Sequence, residues 1–145
     1  MRLTTRQRAF LRVLHAQFGA DRIRNARRKV LDLFQALAEK GAEIIALPAA
    51  FTMQTGKDHW ETLLRARAIE TQTYVCAAAQ TGSFTTGNEQ RQTYGHSLVA
   101  DPWGHVVAKA SDGVGLVTTR VDPAVIAKVR QMIPAASHKV KIARE

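Results

Sequence analysis

The chain has 145 residues, 46% hydrophobic and 23% charged, with one cysteine and a formal net charge of +9. That length holds one domain or a piece of one, and that composition is globular rather than disordered. A lone Cys76 excludes an intramolecular disulfide framework and fits a reducing, cytoplasmic setting, no apolar run approaches the roughly 20 residues that span a bilayer, and the start lacks the apolar core and cleavage site of a secretory signal.

The charge is unevenly placed. Residues 1–31 hold nine Lys/Arg against the single acid Asp21, whereas the remainder holds twelve against eleven. The chain therefore divides into a basic extension over 1–30 and a nearly neutral body over 31–145. An arginine-rich arm can bind nucleic acid through counterion release. Here it lacks interleaved aromatics and any base-reading motif. A solvated extension is the favoured reading, and nucleic acid is not an expected partner.

Residues 5–18 place Phe10, Leu11, Leu14 and Phe18 near one helical face, with Gly19 to end the helix. Residues 19–30 are densely basic and show no strand pattern. From Leu31 the character changes. LDLFQALAEKG sets Leu33, Phe34, Leu37 and Ala38 at helical spacing and ends on Gly41. Residues 43–47 (EIIAL) read as a buried strand stopped by Pro48, which lacks the ladder donor. A loop over 49–57 follows. Asp58 then looks like an N-cap, with Glu61 completing a capping box for a helix over 59–72. Trp60, Leu63, Leu64, Ala68 and Thr71 share its apolar face, and Glu61 pairs with Arg65 four residues on.

Residues 74–79 (YVCAAA) form the next strand, and 83–93 a polar loop around Gly87 and Asn88. A hairpin comes next: 97–101, the turn DPWG, then 105–109. Residues 115–121 read as a last strand. Asp122 caps a short helix near 124–132, with Pro123 at its first position and Pro134 as its stop. Five strands and three helices from Leu31 onward make an α/β layered fold.

Several motifs agree in order and spacing with one family: LPAAFT, GKDHW, RARAIE, AAAQTG and GHSLVADPWG, then RQMIPAASHK near the end. Over about residues 33–139 the chain resembles the nitrilase, or carbon–nitrogen hydrolase, superfamily. The nearest branch is that of deaminated-glutathione amidases and omega-amidases. The resemblance implies an α-β-β-α sandwich, of which this chain would be about the C-terminal half. It implies hydrolysis of small amides through a thioester, with a Cys nucleophile, a Glu base and a Lys that steadies the oxyanion. It also implies oligomers, so a second copy or a related full-length chain is an expected partner. No cofactor is called for.

The resemblance departs where that chemistry should sit. Counting back from LFQALAEKG puts Asn25 at the position of the family's Cys, and an amide cannot serve as a thiolate. No match to the Glu and Lys is found upstream. The catalytic set is therefore expected to be absent and the chain inactive alone, a truncated member of the family. Non-catalytic binding to a related chain is the alternative. The abrupt change near Leu31 also fits a disrupted frame in a gene that once encoded the whole domain.

Cys76, mid-strand among alanines, reads as packing rather than nucleophile. The histidines His15, His59, His96, His105 and His138 lack paired metal-ligand spacing with each other or with Cys76, so no metal is expected. Phe51 and Thr52 follow a strand end, where α/β folds bind ligands. His59 and Trp60 open the following helix. These four are the remnant pocket, with core packing for Trp60 and plain surface for His59 as the equal alternative. Arg65, Arg67 and Glu70 read as structural ion pairs, Gly95 as a backbone requirement, and His96 as non-catalytic.

Overall fold

The computed structural model describes residues 23–138; the expected helix over 5–18 and the tail from 139 lie outside them. Helix α1 spans Ile23–Glu39. Phe34 is buried, whereas Leu33, expected on the same face, is 38% exposed. Gly41 closes the helix with φ +83°, a conformation that favours glycine. Ala42 N–H then donates back to the Leu37 carbonyl.

Strand β1 is Ile44–Ala49 and runs through Pro48 rather than stopping before it. The reason is position. β1 is an edge of a four-stranded sheet, and an edge strand has no second neighbour to miss a donor. β2 (Tyr74–Ala79) pairs with it in parallel, so that Ala46 aligns with Cys76 and Pro48 with Ala78. β5 (Leu98–Ala100) adds antiparallel to β2, and β6 (Val106–Lys109) to β5. The expected 97–101/105–109 hairpin is thus present. Gly104 N–H donates to the Asp101 carbonyl across its turn, and the Asp101 carboxylate accepts from the backbone N–H of Trp103 and His105, both at 2.9 Å.

The crossover from β1 to β2 is helix α2, Met53–Thr71. It starts six residues before the expected His59. Asp58 lies inside it and is no N-cap. Thr52 holds the N-cap backbone position, without a side-chain cap bond to the helix. Gly56, inside the loop expected over 49–57, is a buried helical residue. Leu63 faces outward at 45% exposure, but Trp60, Leu64, Ala68 and Thr71 are buried as expected.

One face of the sheet carries the core. Ile45, Val75, Ala77, Leu98 and Ala100 lie under Phe34 of α1 and Trp60, Leu64 and Ala68 of α2. On the other face, register places Ala46, Pro48, Cys76, Ala78, Val99 and Ala108. These are half-buried or exposed.

Two further readings need correction. The polar loop over 83–93 is a two-stranded antiparallel ribbon, β3 (Thr81–Thr86) with β4 (Glu89–Tyr94). Thr85, Gln90 and Gln92 are exposed, so no apolar alternation marked it. The strand expected over 115–121 does not form. The segment joins no ladder among the described residues, and β propensity without a partner makes no strand. Helix α3, Pro123–Met132, agrees with expectation: the Asp122 carboxylate accepts from Ala124 N–H at 2.9 Å, and proline opens the helix. Among the described residues, no helix is long and apolar enough to cross a membrane.

Candidate functional site

Two parallel strands end side by side at Ala49 and Ala79, and the chain leaves both in the same direction. That leaves a crevice beyond their carboxyl ends, where α/β sheets commonly bind ligands. An open cleft of about 440 Å³ lies there, lined by Pro48, Ala49, Ala50, Ala78, Ala79 and Gln80. Its walls are small because the residues are small. The alanine run of YVCAAA, which lets another layer approach, also hollows the site. Gln80 brings the lining's one polar side chain, an amide that both donates and accepts. Its backbone N–H is fixed on the Ala49 carbonyl at 2.9 Å, which joins the two walls.

The mouth is braced by the segment 93–97. Ser97 lies beside Ala79, where its hydroxyl accepts from Ala79 N–H at 2.9 Å and reaches the Ala79 carbonyl at 3.3 Å. One side chain thus occupies both polar groups of a cleft residue. Gly95 and His96 reach that position through φ +68° and +56°. For a histidine such a backbone is uncommon, and three contacts hold it. The Trp60 indole N–H donates to the His96 carbonyl at 2.9 Å, His96 Nδ1 lies 2.7 Å from the Tyr94 carbonyl, and the two rings stack at 4.1 Å. Tyr94 in turn presses on α2: a methyl group at Gly56 would collide with its Cβ and ring.

The four residues singled out from the sequence divide. Phe51 and Trp60 come together, ring centroids 5.2 Å apart, with Trp60 only 2% exposed in the core. Thr52 is exposed at the start of α2 and bridges Thr93. His59 is exposed on α2. The cleft lining begins immediately before Phe51 and continues on β2. Sequence reasoning missed Ala78, Ala79 and Gln80, although the strand-end rule that pointed to Phe51 applies equally to the second parallel strand.

Electrostatics around the sheet are mild. Lys109 of β6 reaches Glu61 of α2 at 2.7 Å. This hydrogen bond holds the Glu61 carboxyl below its ordinary value and the Lys109 ammonium above its own. Arg65 is 3.9 Å from Glu61, but its Nε–H donates to the Gly104 carbonyl at 2.7 Å, so its main hold is on the DPWG turn. Arg67 pairs with Glu70 at 2.9 Å. Burial pushes the Cys76 thiol up, which keeps it protonated and a poor nucleophile at neutral pH. Among the described residues no three His, Cys, Asp or Glu side chains gather as metal ligands.

The family model for carbon–nitrogen hydrolases matches residues 30–131. The human deaminated glutathione amidase is 52% identical over 108 residues, which are 74% of this chain and 32% of that protein. Among solved structures, the C. elegans NitFhit protein superposes with a TM-score of 0.70 at 48% identity, covering 75% of this chain and 26% of that one. Saccharomyces cerevisiae Nit3, of the nitrilase superfamily, does so with a TM-score of 0.66 at 36% identity, covering 72% and 37%. The chain therefore spans about a third of the length of the relatives it matches.

Proposed function

The chain belongs to the carbon–nitrogen hydrolase family, and from that premise we propose that it supplies one wall of an amide-binding cleft without carrying out hydrolysis itself. One observation supports this reading above the others: the six residues lining the cleft bring no thiol, carboxylate or amine. Acyl transfer from an amide needs a nucleophile, a group to move its proton, and charge facing the oxyanion. The lining offers small apolar walls and the Gln80 amide. Those groups suit recognition of a small amide, the class that the name of the human relative indicates for that relative. Asn25, at the position where the family's Cys is expected, cannot replace it. Cys76 is a weak substitute, because its thiol is held protonated.

The test is ammonia release from short-chain omega-amides by the purified chain. The expected result is no release above the uncatalysed rate. Turnover that persists through purification and disappears in Cys76→Ala would overturn the reading.

A second reading is favoured by the sheet face that carries Cys76, Ala78 and Val99. Small apolar side chains there are left half-buried or exposed, and contiguous apolar surface of this kind marks interaction sites. In that reading the chain is a non-catalytic partner of a second copy or of a related full-length chain, acting in the cytoplasm.

A further inference from the structure

Residues 110–122 form no helix or strand, and 111–118 are all exposed. The two ends are fixed. Ala110 N–H donates to the Ser97 carbonyl at 2.8 Å, and Asp122 N–H to the Tyr74 hydroxyl at 3.3 Å. Between them, no backbone N–H or carbonyl of residues 111–121 enters a hydrogen bond among the described residues. Leu116 stands 87% exposed in the middle. Phe84 and Trp103 are exposed too, at 47% and 43%, but their backbones are held. Phe84 lies opposite Arg91 in the β3–β4 ladder, and Trp103 N–H donates to the Asp101 carboxylate at 2.9 Å. An endopeptidase takes its substrate as an added strand, through backbone groups that have no other partner. Of these three exposed apolar residues, Leu116 alone meets that condition.

We infer that the bond between Leu116 and Val117 is a processing site for an endopeptidase with an apolar primary pocket, and that cutting it releases helix α3. Water adds across that amide. The C–N bond breaks, Leu116 keeps a new carboxylate and Val117 a new α-ammonium. Gly113 and Gly115 leave the approach open, since a Cβ at either would meet nothing within 4 Å. A bond inside a helix or ladder is cut from an opened form, whose population falls tenfold for each ~1.4 kcal/mol of opening free energy. Residues 111–121 have no ladder to open, so the cut at Leu116 escapes that factor. Beyond it, Gln72 Nε2–H donates to the Ile133 carbonyl at 2.6 Å, the Arg130 guanidinium donates to the Ala42 carbonyl at 3.1 Å, and Ile126 and Val129 are buried. In the intact chain these contacts act within one molecule. After the cut they must hold a separate peptide, 117–145, and its retention depends on concentration. Its ten-residue helix is marginal alone in water, so the peptide gains chain entropy on leaving.

Brief digestion of the full chain with chymotrypsin, read by intact mass, tests this. That enzyme's apolar slot favours aromatic residues over leucine, so side-chain preference alone puts Phe84 and Trp103 first. The expected result is the reverse, with Leu116 cut at least about tenfold faster than either. Leu116→Asp sets a charge before the apolar pocket and should slow that cut at least about tenfold. It replaces a nearly fully solvated side chain, so melting should be unchanged. Leu98→Ala, which loosens the core, should leave the rate at Leu116 as it was. Gel filtration of the nicked chain at falling concentration should separate the peptide 117–145. A first cut at Phe84 or Trp103 overturns the inference. So does a Leu116 rate that rises in Leu98→Ala, since the cut would then come from an unfolded form. A peptide still bound at the greatest dilution overturns the release. The cleft and its amide ligand play no part in these readouts, so the inference and the proposed function fail separately.

Discussion

Leu98 and Val99 are neighbours on β5 and face opposite sides of the same sheet. Leu98 is 1% exposed beneath α1 and α2, in a core that includes Ile45, Val75 and Ala77. Val99 aligns with Cys76 on the side where the described residues leave the surface partly open. The two faces are nonetheless alike in composition: YVCAAA is apolar at every position, as in a strand buried on both sides. The helices finish one face. The other keeps small side chains and ends in the cleft beside Pro48 and Ala78. Stability is thus concentrated on the helical side, and the proposed binding on the other.

The sharpest way to break this contrast is to truncate both neighbours. Leu98→Ala should cost about 2–5 kcal/mol, the range for emptying a packed leucine site. Val99→Ala should cost below about 1 kcal/mol, because half-buried methyl groups gain less from leaving water. Urea unfolding of the two variants checks it. Equal costs would mean that the second face is as well covered as the first.

A smaller effect is expected where the helical side meets the brace of the cleft. Gly56→Ala should raise helix propensity by about 1 kcal/mol yet destabilise overall by about 1–2 kcal/mol, because the methyl group overlaps Tyr94. Adding Tyr94→Gly, which removes the Cβ as well as the ring, should recover the propensity gain within the double variant. A Gly56→Ala protein that melts higher than the parent would show that α2 and β4 are not pressed together.

The same contrast explains what the sequence discloses. Elements fixed by local chemistry were legible: the Gly41 helix end, the DPWG hairpin, and α3 with Asp122 and Pro123 at its start. The helical face was legible through Trp60, Leu64 and Ala68. Features decided by distant partners were not. Asp58 and Glu61 imitate a capping box, but the chain turns helical at Met53, where Phe51 and Thr52 are tied to Tyr94 and Thr93 of β4. Pro48 reads as a stop unless the strand is known to be an edge. Residues 115–121 have strand chemistry and no ladder. For the site, the strand-end rule led to Phe51 and Thr52, whereas Gln80 required the knowledge that β2 lies beside β1 in parallel.

The least effect is expected from the pair that ties the helical side to the sheet's far edge. Glu61 and Lys109 meet at 2.7 Å with side chains 39% and 40% exposed. Solvent screening therefore limits the pair to about 0.5 kcal/mol. The carboxyl is held below its ordinary value of 4.5, so Glu61's share is present above that value and is lost as pH falls through the depressed folded one. The ammonium is held above 10.5, so Lys109's share is present below that value and is lost as pH rises through the raised one. The difference in unfolding free energy between parent and Glu61→Gln should be small and level between these limits, and should shrink toward zero as pH falls through the depressed folded value. A difference above about 2 kcal/mol at neutral pH would place the pair in a drier environment than its exposure implies.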